Sequence, residues 1–137
     1  LSLLICFSLT AQKKVANYFT GEYGTKSYEH FSFWVENGKP LSVQYSYGIK
    51  PQDIPLTLLG KQKVNGKTVF KLKFSNQYVL YIAADKKQLH VTDAACKYNK
   101  IFTWEYEGPV NGVGTFCDVC AEDEAEAMTI MEQGYLQ

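Results

Sequence analysis

At Asn37-Gly38 and again at Asn65-Gly66, an Asn-Gly pair stands between two strand-like runs. Both residues tolerate positive φ, so the dipeptide is a strong hairpin signal. After the first turn, Leu41, Val43, Tyr45 and Tyr47 alternate with Ser42, Gln44 and Ser46. That period of two is the pattern of a half-buried strand. The second turn joins Leu56 to Val64 with Thr68 to Phe74. There Phe70, Leu72 and Phe74 point one way and Lys71 and Lys73 the other.

Four more runs fit the same plan. Tyr28 to Val35 precedes the first turn; Tyr78 to Ala83, Gln88 to Thr92 and Ile101 to Glu107 follow the second hairpin, with a turn at Asp85-Lys86. In the last run Phe102, Trp104 and Tyr106 share a face. Seven short strands at regular spacing predict an antiparallel meander. Open edges invite pairing with other chains, so such a meander closes into a barrel or, alternatively, folds as a sandwich. Hydrophobic residues at 46% and aromatics at 15% can supply its core. The length of 137 residues suits one domain, expected over residues 12–137. Lys13 to Phe19, before Gly21, reads as one helical turn.

The chain changes character after residue 120. Ala121, Ala125, Met128, Met131 and Tyr135 make a single apolar stripe at helical spacing, opposite Glu122, Glu126, Thr129 and Gln133. The pattern predicts a helix over about 121–134, stopped by Gly134.

Charge is balanced but segregated. All fourteen basic residues are Lys, and all lie between Lys13 and Lys100. Six acids share that segment, giving +8, and the eight acids beyond it give −8. Zero net charge and no Arg argue against a nucleic-acid partner. The acidic helix could fold back on the basic body or meet an envelope partner protein.

Leu1 to Leu9 is an apolar run followed by Thr10, Ala11 and Gln12. It is too short to cross a bilayer and fits the end of a secretory signal peptide cut after Ala11, with a buried first strand as the alternative. The Leu-Thr-Ala-Gln ending resembles export signals of the Bacteroidetes group. A secreted or periplasmic chain with no transmembrane segment in its mature part is the expectation. Ile5 before Cys6 argues against a lipoprotein anchor.

Cys96, Cys117 and Cys120 would then remain, in a compartment where disulfides persist. A bridge from Cys96 to Cys117 or Cys120 would close a loop of about twenty residues and contribute about 3 kcal/mol. A local Cys117–Cys120 bridge would constrain less. Two chemical alternatives use the same pair. A redox role needs a thiolate, which the helix terminus favours and Asp118, Glu122, Asp123 and Glu124 oppose. A zinc role would combine Cys96, Cys117 and Cys120 with His90.

Other chemistry has little support. His30 and Ser32 share a strand face without a nucleophile-elbow context. Glu105 and Glu107 also share a face, as strand acids facing solvent do. Gly108 to Gly114 lacks the Lys and Ser/Thr of a phosphate loop, and no motif calls for a cofactor.

Phe-Thr-Gly-Glu-Tyr, from Phe19 to Tyr23, resembles the opening motif of lipocalin-like (calycin) barrels, with Tyr23 where Trp is usual. No Arg is present to pair with that aromatic. The resemblance implies an eighth strand opening at Gly21 to Tyr23 and a cavity for a small apolar ligand. Tyr45, Tyr47, Phe70, Leu72, Phe102 and Trp104 are the candidate cavity wall, and the same residues could line a filled core. The expected product is a monomeric, non-enzymatic barrel that binds a small apolar ligand or a protein partner.

Overall fold

The computed structural model describes residues 12–109 and 116–137. Eight strands run β1 (Lys13–Thr20), β2 (Glu29–Glu36), β3 (Lys39–Tyr47), β4 (Ile54–Val64), β5 (Lys67–Lys73), β6 (Val79–Asp85), β7 (Gln88–Thr92) and β8 (Asn99–Glu105). They pair antiparallel in chain order and close as a barrel where Asn17, Tyr18 and Phe19 of β1 meet Glu105, Trp104 and Thr103 of β8. Closure is the barrel solution to the exposed-edge problem. Both Asn-Gly turns have positive φ at both residues, as the hairpin reading requires. The proposed signal segment lies outside the described residues.

Lys13 to Phe19 is a strand and not a helical turn. Val15, Ala16, Asn17 and Tyr18 are all buried, because β1 is covered on both faces. Such a segment loses the alternation that marks a half-buried strand. The eighth strand is therefore β1, and Gly21 to Tyr23 is the turn that follows it.

Two bulges break the alternation elsewhere. Trp34 pairs with Ser42 and Val35 with Pro40, so Leu41 is left over. Leu58 pairs with Leu72 and Gly60 with Lys71, so Leu59 is left over. Both extra leucines are exposed. Gly60 follows the second with φ +99, a conformation costly for any side chain.

The helix begins later than its apolar stripe suggests. Val15 N–H donates to the Val119 carbonyl and Ala121 N–H to the Val15 carbonyl, which holds residues 119–121 extended beside β1. Asp123 then caps α1 (Glu124–Met131) by accepting from the Glu126 amide at 2.7 Å. A π-type turn, Glu132–Leu136, continues it.

This C-terminal segment closes one end of the barrel. Tyr135 is fully buried, with ring centroids 5.4 Å from Phe33 and 4.9 Å from Phe70. Its hydroxyl donates to the Trp34 carbonyl and lies 3.3 Å from that of Ser42. Gly134 permits the approach: a Cβ there would stand 2.6 Å from Val35 Cγ1. Ala127 and Met131 complete the seal.

Candidate functional site

Opposite the helix the barrel stays open. The inward phase of β2 runs Glu29, Phe31, Phe33, Val35, so the hydrophobic interior ends at this mouth on a carboxylate. A buried carboxylate needs partners. Tyr45 Oη donates to Glu29 Oε1 at 2.8 Å and Tyr98 Oη to the same atom at 2.6 Å. Lys100 Nζ pairs with Oε2. Burial, then the hydrogen bond to Glu29, raises both phenols well above the ordinary tyrosine range.

Around this group lies a cavity of about 220 Å³, lined by Glu29, Tyr45, Phe74, Asn76, Tyr78, Leu80 and Tyr98. Tyr45 meets Phe74 edge-on at 5.3 Å, and Phe74 meets Tyr78 at 6.1 Å. Tyr78 Oη donates to Asp93 Oδ2 at 2.7 Å; partial desolvation and that bond push its pKa up to about 12. Asp93 is correspondingly held below the usual carboxylate range, chiefly by the Tyr78 hydroxyl. The wall is aromatic and its polar groups converge, the usual composition of a small-molecule site. A groove of about 560 Å³ at the other end, beside the helix, is larger. It is lined mainly by polar side chains such as Lys63, Lys67 and Gln133, and lacks a buried polar anchor.

The six residues singled out from sequence divide. Tyr45 lines the mouth. Tyr47 stacks on it at 5.8 Å but is 57% exposed on the rim, one pair of residues beyond the end of the filled interior. Phe70, Leu72 and Phe102 belong to the packed core, at 3%, 0% and 0% exposure. Trp104 packs against that core opposite Tyr18. Glu29, Phe74, Tyr78, Tyr98 and Lys100 did not stand out. The signal was there: Glu29 is in phase with Phe31 and Phe33, and Lys100 with Phe102 and Trp104.

The cysteines also separate. Cys117 and Cys120 form the disulfide, and Cys96 is free and exposed. The expected Cys96 bridge does not form because Cys96 lies in the β7–β8 loop at the mouth, whereas Cys120 pairs with Val15 toward the closed end. The bridge instead fixes the bend that leads into residues 119–121, clamped by Tyr106, whose Oη donates to the Cys117 carbonyl at 3.0 Å. Redox activation loses its helix terminus, since α1 begins only at Glu124. The zinc set loses two thiolates to the disulfide, and His90 contacts Asn99 instead. Among the described residues no three His, Cys, Asp or Glu side chains are arranged to hold a metal.

A second polar cluster lies on the outer wall. His30, Asn17, Ser32 and Ser46 are buried there. Gly108 crosses so closely that a Cβ on it would stand 3.1 Å from His30 Nε2. Burial lowers His30 to about 3 and raises Glu105 to about 7. The 3.2 Å contact between them is therefore not an ion pair near neutral pH, and neither ring nitrogen makes a directed hydrogen bond among the described residues.

Comparison with protein-family models, with curated proteins and with solved structures finds no match for this chain. The fold itself is an eight-stranded antiparallel barrel compatible with the small lipocalin-like plan.

Proposed function

We propose that this domain is a non-enzymatic binder of a small molecule, which enters the open mouth of the barrel. The observation that carries the reading is Glu29, a buried carboxylate held by two phenols at the base of an aromatic cavity. A core built for stability alone gains little from such a group, since an apolar replacement is often neutral or stabilising. Size limits the guest. A cavity of about 150 Å³ accepts a benzene ring, and drug-sized ligands occupy about 300 Å³ or more. The mouth, at about 220 Å³, suits one ring or a short branched chain.

Kinship with lipocalin-like barrels and export from the cytoplasm belong to the same proposal. The barrel plan and the apolar run at Leu1 to Leu9 support them, and the Cys117–Cys120 bridge fits an oxidising compartment. The test of the binding reading is two-dimensional NMR of the domain against a panel of monocyclic compounds. Shifts should cluster at Glu29, Tyr45, Tyr78 and Tyr98. A panel that leaves these signals unmoved, or moves only the helix end, overturns it.

A further inference from the structure

We propose that the mouth recognises a small organic ammonium ion, for which Lys100 is the resident substitute. The inference rests on the mouth being the binding site and names the class of its ligand. Lys100 Nζ already occupies the position such a ligand would take. It pairs with Glu29 Oε2 and stands 5.1 Å from the centroid of the Tyr98 ring. Carboxylate and aromatic face together are the recognition chemistry of an ammonium group. The second carboxylate oxygen is held by Tyr45 and Tyr98, so Oε2 is the side left for the cation.

The two partners of this pair differ in freedom. Glu29 has a side chain only 9% exposed, whereas that of Lys100 is 45% exposed. Lys100 therefore has a route to water, on a flexible four-carbon stem whose charge is readily hydrated. Glu29 has none. Exchange of the Lys100 ammonium for that of a ligand keeps the buried carboxylate paired throughout, and releases the lysine to solvent. The ligand gains what Lys100 leaves unfilled: the cavity between Phe74, Tyr78 and Leu80, which takes a ring or short chain attached to the ammonium. A neutral guest of the same shape gains the apolar contact without the charge. An anion meets Glu29 and the negative faces of the rings.

The experiment titrates the domain with phenethylammonium and with its neutral counterpart 2-phenylethanol, followed by NMR at the mouth. The expected result is at least tenfold tighter binding of the ammonium, with the preference lost in Glu29→Gln. Lys100→Met should bind the ammonium several-fold more tightly than the parent, because the internal competitor is gone. The ammonium should also raise the Tm of that variant, whose Glu29 is otherwise unpaired. If Glu29→Gln fails to fold, Lys100→Met decides alone: an unchanged affinity overturns the proposal. Equal binding of alcohol and ammonium, unaffected at Glu29→Gln, overturns the ammonium and leaves the mouth as a binding site. Absence of any shift at the mouth with either probe overturns both readings.

Discussion

Glu105 Oε1 lies 3.0 Å from Tyr28 Oη and 3.2 Å from His30 Nε2, on the outer wall of the barrel beneath the crossing at Gly108. Folding pushes the two titrating groups toward neutrality from opposite sides. His30 falls from 6.5 to about 3, mainly by desolvation, and Glu105 rises from 4.5 to about 7 for the same reason. The stability His30 contributes is full above pH 6.5 and lost as pH falls toward 3. That of Glu105 is full below pH 4.5 and lost as pH rises through 7. The two slopes cancel between about pH 4.5 and 6.5. Urea unfolding across this range should show a plateau there, and Glu105→Gln should remove the decline toward pH 7. A Glu105→Gln curve parallel to the parent from pH 4 to 8 would contradict it.

The plug at the closed end has no slack. Gly134→Ala places its methyl 2.6 Å from Val35 Cγ1, and both belong to packed elements. Overpacking of this kind costs about 1–3 kcal/mol. The double substitution Gly134→Ala with Val35→Ala should recover part of the loss to overpacking. Thermal or urea unfolding of the single and double variants measures it, and additive losses would show that the contact is not the cause.

Tyr135 contributes both a ring and a hydroxyl to that plug. Tyr135→Phe keeps the contacts with Phe33 and Phe70 and removes the hydrogen bond to Trp34. The expected loss is about 1 kcal/mol. Tyr135→Ala should lose about 3–5 kcal/mol, by analogy with other buried aromatics. Comparable losses for both variants would place the ring outside the core.

The short disulfide is a modest staple. Chain-entropy arguments give about 2 kcal/mol for a loop this small, against about 3 kcal/mol or more for the longer loop from Cys96. Replacing both Cys117 and Cys120 by Ser should therefore lower stability by about 2 kcal/mol or less. Cys96→Ser should leave the Tm unchanged. A large loss on Cys96→Ser, measured without reductant, would mean that Cys96 has a covalent partner.

Legibility followed the range of the interaction. Asn37-Gly38 and Asn65-Gly66 specify their turns within two residues, so the hairpins could be read directly. The start of the helix could not, because a distant strand sets it: Val15 holds Val119 and Ala121 extended across more than a hundred positions of sequence. β1 escaped notice for a related reason. Residues 119–121 bridge its edge at Val15 and the Gly108 crossing covers Asn17 on its outer face, so no polar alternation survives. At the mouth, Tyr45 stood out as one aromatic among many. Glu29 and Lys100 come from strands β2 and β8, seventy-one positions apart, and their pairing is a product of closure. Phase alone could have marked each as an inward charge, though not as each other's partner.

The junction of β1 with β8 also has a consequence in time. The first strand waits for the last before the cylinder can shut, and the shut cylinder still needs Tyr135 to stop its far end. Contacts this far apart in sequence form slowly, since the loop entropy is lost before the contact forms. During synthesis the half-finished sheet holds an unpaired edge at β1 until Asn99–Glu105 has cleared the ribosome. A domain of this design keeps its first strand open-edged through most of its own synthesis, and nearly all of it must be made before any of it is sealed.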